Sequence, residues 1–262
     1  MNNLFAALYA ETTKVMKARI LWITIVFFTF LGLMMGFLML ISKNPELAGS
    51  SAILSTKASF ISEASWPAYF NLLKQLALVL SVLGPGIVIT WIFGREYSDR
   101  VIKDILSLPV SRINIVSAKF LVGFVWSLLL IAIMLTVAII AGFIVKLAGF
   151  NPESLSENSL NIMVSSLLTV TLFTPVALIT CISRGYLLPI GILILTMMFT
   201  QFMFVGLPGL TPYFPWSVPA LYSGVAGPVV SKPGFISYFI LIMTSVMGFI
   251  GTALWWNYAD QH

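Results

Sequence analysis

Five charged residues lie close together between positions 96 and 104, where they are available for polar contacts with another molecule. They are Glu96, Asp99, Arg100, Lys103 and Asp104, and they fit within about two and a half helical turns. An acid precedes a base by four residues in Glu96–Arg100 and in Asp99–Lys103, the favourable order for ion pairs on a helix. Apolar residues occupy the opposite side: Val101, Ile102, Ile105 and Leu108. The pattern predicts a short amphipathic helix that lies on a membrane and contacts a soluble partner, or else a solvated loop helix without a partner.

Pro109 is predicted to end this helix. It lacks a backbone N–H and disfavours the helical conformation at Leu108. Ser111 then stands where the N-cap of a following helix is expected. Residues 95–113 therefore read as a helix, a proline turn and the entry to a new hydrophobic segment.

The composition excludes a water-soluble protein and several kinds of site. Apolar residues make up 59% of the 262 and charged residues only 9%, whereas soluble domains carry roughly 25% charge. Cys181 is the single cysteine and His262 is the last residue, which excludes a disulfide framework and zinc motifs. The net charge of +5 is too thinly spread for nucleic-acid binding. We therefore predict an integral membrane protein with no catalytic residue, metal site or cofactor of its own.

Hydrophobic runs predict an all-α fold with six transmembrane helices in one domain, residues 1–262. Each run is long enough for about 30 Å of hydrocarbon. The spans are approximately 20–41, 71–94, 120–145, 162–182, 186–205 and 235–256. Residues 1–19 are basic and amphipathic, which predicts an interfacial helix or, alternatively, a frayed tail. Residues 206–233 are rich in proline, glycine and aromatics, which predicts a short re-entrant or interfacial element.

Two small-residue motifs mark the first two spans. Gly32 and Gly36 form a small-xxx-small face on which another helix can approach closely, although chance spacing explains it equally well. Gly84-Pro85-Gly86 interrupts the second span near mid-depth and predicts a kink or local unwinding. That motif is either a hinge or a packing kink.

The distribution of bases predicts that both termini are cytoplasmic. In that orientation nine bases lie inside: Lys14, Lys17, Arg19, Arg95, Arg100, Lys103, Arg112, Lys119 and Arg184. Five lie outside: Lys43, Lys57, Lys74, Lys146 and Lys232. The charged stretch between the second and third spans is then cytoplasmic.

The spans hold no ionisable residue near their centres. Lys74, Lys119 and Arg184 are at span ends, where they are expected to snorkel to water. Ion-coupled carriers need such a group within the bilayer, and hydrolases need a nucleophile with a base or a metal. The chain is therefore expected to obtain the energy for transport from another protein, or to be a passive pore.

At the charged stretch the sequence resembles the permease subunits of type-2 ABC exporters. The resemblance rests on the following residues: Glu96-Tyr97, Lys103, Ile105-Leu106, Leu108-Pro109-Val110-Ser111-Arg112 and Lys119. Tyr213-Phe214-Pro215-Trp216 and Pro219 resemble the bacitracin-resistance and lantibiotic-immunity branch. Arg100-Val101 departs from the Gly-Thr or Arg-Thr of many members.

The resemblance implies a permease in a bacterial plasma membrane that pairs with a second permease chain and with two separate ATPase subunits. No Walker A motif occurs in this chain, so ATP and Mg²⁺ are expected in the ATPase. The segment Glu96–Leu108 would be the coupling helix, and Gly32 and Gly36 would face the second permease together with span five. The ATPase-coupling set implied is Glu96, Tyr97, Asp99, Arg100, Lys103, Asp104, Leu108, Pro109, Ser111 and Arg112.

The implied transported substrate is a hydrophobic or amphipathic molecule, such as an antimicrobial peptide or a lipid-like compound. Membrane lipid is a further expected partner of the chain. Two other classes of protein stay open from the residues. One is a membrane-embedded enzyme or assembly factor that uses serine or threonine in residues 206–233. The other is a secondary carrier driven by an ion gradient.

Overall fold

The computed structural model describes residues 3–44, 46, 64–99, 101–102, 110–227 and 232–258. The helices formed by these residues are α1 (Asn3–Met16), α2 (Arg19–Lys43), α3 (Trp66–Ser98), α4 (Arg112–Val145), α5 (Pro152–Thr171), α6 (Thr174–Ser183), α7 (Leu187–Gly206), α8 (Val218–Ser223) and α9 (Phe235–Tyr258). Among the described residues, six helical stretches are long and apolar enough to cross a membrane: α2, α3, α4, the pair α5–α6, α7 and α9. The predicted all-helical, six-span fold is confirmed.

Three of the predicted spans belong to helices that extend at least four residues further. The second span, predicted at 71–94, belongs to a helix that continues to Ser98, so Glu96 and Tyr97 form its last turn and do not begin a separate helix. The helix of the third span already begins at Arg112. The helix of the fourth begins at Pro152, because the Asn151 side chain caps it by accepting from Glu153 N at 3.0 Å.

The second span, α3, lies at the centre of the helix assembly. It packs against α4, α5, α6 and α7. In the 18-residue apolar stretch of α3, 61% of the residues are buried inside the chain. The corresponding share is 17–22% for α2, α7 and α9. The last three therefore present broad apolar surfaces to lipid or to another chain.

The two glycines of α2 pack within the chain. A Cβ added at Gly32 would lie 2.7 Å from Met134 O, and one at Gly36 would collide with the Ala141 Cβ. Both contacts are on α4, which runs alongside α2. The close helix approach expected of the motif is present, but an intrachain helix occupies the face. This corrects the assignment of Gly32 and Gly36 to an interface between two chains.

Helix α3 continues through Pro85 without a break. The local unwinding expected at Gly84-Pro85-Gly86 is therefore wrong. Side chains of neighbouring helices occupy the space that a Cβ would need, Phe28 at Gly84 and Leu193 at Gly86. The motif thus acts as a packing site for α2 and α7, and its role as a hinge stays a prediction.

The fourth span is divided in two ahead of Pro175. Helix α5 ends at Thr171 and α6 begins at Thr174, because the proline ring has no N–H for the ladder. The Thr174 hydroxyl donates to Ser245 O of α9 at 2.5 Å, and the Thr171 hydroxyl to Leu168 O at 2.8 Å. Threonine hydroxyls beside the proline thus bond backbone carbonyls of α5 and α9.

The segment after α7 is irregular, as predicted from its composition. Two 3₁₀ turns, Thr211–Tyr213 and Pro215–Ser217, lead into the short helix α8. The Ser217 hydroxyl donates to the backbone carbonyls of Thr211 and Phe214. Its placement at the membrane interface stays a prediction.

Candidate functional site

Four charged side chains meet where α1 packs against α3 and α4. We call Glu11, Lys14, Glu96 and Lys119 the four-charge cluster. Lys119 Nζ lies 2.6 Å from Glu96 Oε1 and 3.2 Å from Glu11 Oε2. Lys14 Nζ lies 2.5 Å from Glu11 Oε1 and 3.2 Å from Glu96 Oε1. Each lysine therefore bridges both carboxylates, and the cluster ties three helices together.

Three of the four groups are almost completely removed from solvent. Lys119 is 1% exposed, Glu96 2% and Glu11 5%. Lys119 also donates to Ile92 O at 3.3 Å. Two acids and two bases make the cluster neutral overall, which matters because an unpaired charge in such a site costs several kcal/mol. Removing one member alone would therefore leave an unbalanced charge in the site.

The helical repeat explains why charges are buried here. Glu11 is four residues from Ala7 and from Val15, and all three lie on the buried face of α1. Lys119 is likewise four residues from Ile115 and from Gly123 on the buried face of α4. Glu11 and Lys119 thus each lie on an otherwise apolar face of their helix. This pattern is the sequence signal that could have predicted their burial.

These contacts correct two sequence predictions. Lys119 was expected to snorkel to water, but its ammonium group is enclosed and paired with two carboxylates. Glu96 was expected to touch an ATPase, but it is buried and its Oε1 accepts from Lys14 and Lys119. Both residues therefore hold helices together inside the chain.

We expect the cluster to make the docking of α1 depend on pH. Burial alone would raise the pKa of the Glu11 carboxyl, but the ammonium groups of Lys119 and Lys14 outweigh it and lower the pKa below its ordinary value of about 4.5. The stabilisation from a lowered pKa is complete above the ordinary value and is lost as the pH falls through the folded-state value. We expect the hydrogen-exchange protection of α1 amides to be constant above about pH 5 and to fall on acidification below pH 4.5.

A Glu11→Gln variant is the control for this prediction. Its protection of α1 should be lower at neutral pH and should lose the part of the acid dependence that Glu11 supplies. An identical acid profile in both proteins would contradict the role of Glu11.

The remaining predicted residues are dispersed. Tyr97 is half-buried and packs against the hydrophobic core. Asp99 is exposed, and its Oδ2 lies 3.7 Å from Nε of Arg95. Ser111 occupies the N-cap position of α4, but its side chain makes no capping hydrogen bond. Five residues lie outside the described part of the chain: Arg100, Lys103, Asp104, Leu108 and Pro109.

Arg112 joins the start of α4 to the end of α9. Its Nη1 donates to Trp256 O at 3.0 Å and to Asn257 O at 2.9 Å. A cation that binds the last carbonyls of a helix satisfies free acceptors and is favoured by the helix dipole. Arg112, expected to contact an ATPase, thus makes an intrachain contact that fixes the sixth span to the third.

The site is an ion-pair junction without the donor arrangement of a metal centre. In the part of the chain that the structure describes, no three His, Cys, Asp or Glu side chains are grouped to hold a metal ion. The chain segment between α3 and α4, residues 99–111, connects the two helices that Lys119 and Glu96 join. The Lys119–Glu96 pair therefore links the same two helices that this segment connects along the chain.

Two sequence comparisons show which known proteins this chain is similar to. The family described as ABC-2 family transporter protein matches residues 7–201. The chain is also similar to the Bacitracin transport permease protein BCRB of Bacillus licheniformis, with 26% identity over 191 residues. That match covers 71% of this chain and 88% of the relative. The family match includes all four members of the four-charge cluster and the segment 99–111.

Proposed function

Because the chain belongs to the ABC-2 family of transporter proteins, we propose that a separate ABC ATPase drives it as the permease subunit of an exporter. The chain is a multi-pass transporter membrane subunit. ATP and Mg²⁺ are bound by the partner in this proposal. The observation that carries it is the four-charge cluster, which joins three helices beside the charged segment 99–111.

The cluster supports a mechanical role for this segment. Residues 99–111 leave the end of α3 and enter α4, and the Lys119–Glu96 pair joins these same two helices. Separating a buried pair costs several kcal/mol, so the two helix ends move together with α1. An ATPase that closes against this segment would therefore shift a rigid group of helices.

The orientation in this proposal follows from the bases. The four-charge cluster, the segment 99–111 and both termini lie in the cytoplasm, where nine of the fourteen bases are then found. The membrane is the bacterial plasma membrane. Helix α1 lies along its inner surface, with Tyr9 and Met16 among its exposed residues.

The second permease chain needs a surface other than Gly32 and Gly36. In helix α7, the fifth span, only 17% of the 18-residue apolar stretch is buried inside the chain. Met198, Phe202 and Val205 are exposed along it. We assign this face of α7 to the contact with a second permease, identical or related.

The cargo in this proposal is hydrophobic or amphipathic. The relative from Bacillus licheniformis is named for bacitracin transport. At 26% identity that name supports the class of cargo, an antimicrobial peptide or a lipid-like compound. The enzyme alternative gains no support from the hydroxyl of Ser217, which donates to backbone carbonyls of its own loop.

Co-purification with an ABC ATPase from the same genome tests the proposal. Because Glu96 is buried, charge reversal is applied to Asp99, which is exposed, and to Asp104, five residues later in the sequence. We expect Asp99→Lys/Asp104→Lys to lower ATPase recovery about tenfold and to uncouple ATP hydrolysis from transport, since reversed charges oppose docking at a charged interface.

Glu153→Lys is the matched control, because Glu153 is an exposed acid at the start of α5, away from the segment 99–111. It should bind the ATPase like the unmodified chain. Unchanged recovery and coupled transport in the double variant would refute the coupling assignment. Transport driven by a pH or sodium gradient without ATP would favour the secondary carrier.

A further inference from the structure

A cavity of about 470 Å³ lies among α3, α5, α7 and α8, away from the four-charge cluster. Glu96 follows Gln75 by about 21 residues on α3, which at 1.5 Å per residue separates the cavity from the cluster by about 32 Å. The volume is within the usual range for a small-molecule site. The most buried helix of the chain thus connects the segment 99–111 with this cavity.

Two glutamines from different spans line the cavity. Gln75 is on α3 and Gln201 is on α7, and both side chains are exposed. A carboxamide provides two N–H donors and one carbonyl acceptor. Neither side chain is bonded to another residue that the structure describes. Both carboxamides are therefore free to bond a ligand in the cavity that offers both an acceptor and a donor.

The threonines of the cavity contribute differently. The hydroxyls of Thr169, Thr196 and Thr200 donate to carbonyls of their own helices at 2.7–2.9 Å. Each therefore presents a methyl group and an oxygen that is still able to accept. The Trp216 indole N–H, also in the cavity wall, is buried without an acceptor among the described residues.

The cavity wall carries no charge. Aspartate, glutamate, lysine and arginine are absent from the residues described there, and the rest of the wall is apolar, for example Leu78, Val82 and Phe204. A charged ligand at this position would find no counter-ion among these wall residues. An uncharged ligand with apolar groups and backbone-type amides satisfies both the carboxamides and the apolar wall.

We propose that this cavity binds the transported molecule and that Gln75 and Gln201 recognise amide groups on an uncharged, apolar peptide. The inference rests on the proposed function and adds the site and the chemistry of its cargo. Cargo binding at one end of α3 is then connected through a single helix to the segment on which the ATPase acts.

The test measures binding to the permease alone, in lipid nanodiscs, by fluorescence anisotropy. The probe is dansyl-trileucine amide, and the comparison probe is dansyl-dodecylamine, which lacks the peptide amides. We expect Gln75→Leu/Gln201→Leu to weaken binding of the peptide probe about tenfold, as for loss of one or two hydrogen bonds. Binding of dansyl-dodecylamine should stay unchanged.

Two further variants separate recognition from damage to the fold. Thr136→Val removes an exposed hydroxyl on α4 outside the cavity, and its affinity should equal that of the unmodified chain. Gln201→Asn keeps a carboxamide and should retain more affinity than Gln201→Leu. Equal affinity of the double variant and the unmodified chain for the peptide probe overturns the proposal, as does no binding by the unmodified chain.

A failure of the proposed ATPase coupling can be distinguished from a failure of the proposed cavity site. Binding of the probe needs no ATPase, so an unmodified chain that binds dansyl-trileucine amide but recovers no ATPase would refute the coupling and leave the cavity site intact. Conversely, recovery of the ATPase by Gln75→Leu/Gln201→Leu with lost probe binding supports the cavity site.

Discussion

Lys119→Met is expected to lower the free energy of unfolding by about 3–5 kcal/mol, the usual cost of leaving a buried partner charge unpaired. The substitution preserves most of the volume but leaves Glu11 and Glu96 with Lys14 as their remaining cation. If both carboxylates stay ionised, one buried negative charge has no cation to balance it. If one takes up a proton, it still lacks the hydrogen bond that Lys119 donated. Unfolding in mixed detergent micelles, followed by circular dichroism, measures the change.

Lys74→Met is the matched control. Lys74 lies in α3, and no acid among the described residues pairs with it. Its replacement should change the free energy of unfolding by less than about 1 kcal/mol. If both methionine variants lose equal stability, general loss of a span lysine explains the effect and the cluster does not.

The double variant Lys119→Met/Glu96→Gln tests the pairing itself. It removes one charge of each sign and leaves Glu11 with Lys14, so the site is again neutral. We expect it to be less destabilised than the sum of the two single variants, because the two groups interact directly. Additive single-variant effects would show that Lys119 and Glu96 do not stabilise each other.

The number and order of the spans were predictable from the sequence because hydropathy is a local property. A run of about twenty apolar residues has few alternatives to a membrane helix. The irregular composition of residues 206–233 likewise excluded one continuous helix, as the turns at Thr211–Tyr213 and Pro215–Ser217 confirm. Such features need no knowledge of which helices are neighbours.

The four-charge cluster was not predictable because it depends on neighbours. Glu96 looked like a surface residue beside Arg100, since the nearest opposite charges in the sequence are its natural partners on a helix. In the fold its partners are Lys14 and Lys119, 82 and 23 residues away. Only the packing of α1 against α4 brings Glu11 to the same place.

For Gly32 and Gly36, too, the sequence predicted a local property but not the neighbouring helix. Their spacing indicated a close helix approach, which the structure contains. It did not indicate whether the approaching helix belongs to the same chain. Because α4 occupies the face, the interface with a second chain must be sought on helices such as α7.

Gly248→Ala is the second large expected effect, a loss of about 1–3 kcal/mol in the free energy of unfolding from overpacking. A Cβ at this position of α9 would collide with the backbone nitrogen of Pro175 and lie 2.6 Å from Thr174 C. Backbone atoms cannot turn aside as a flexible side chain can. Thermal unfolding of the purified chain measures the change.

Gly191→Ala is the control, because a Cβ at this position of α7 meets no described atom within 4 Å. Alanine is favoured over glycine within a helix by about 1 kcal/mol, so this variant should be as stable as the unmodified chain or more so. The comparison isolates the contact of α9 with the proline break. At that break Leu172 N and Phe173 N donate to carbonyls three residues back, and the Thr174–Ser245 bond across to α9 helps to fix it. If Gly248→Ala proves as stable as Gly191→Ala, the sixth span does not hold the fourth in place by this contact.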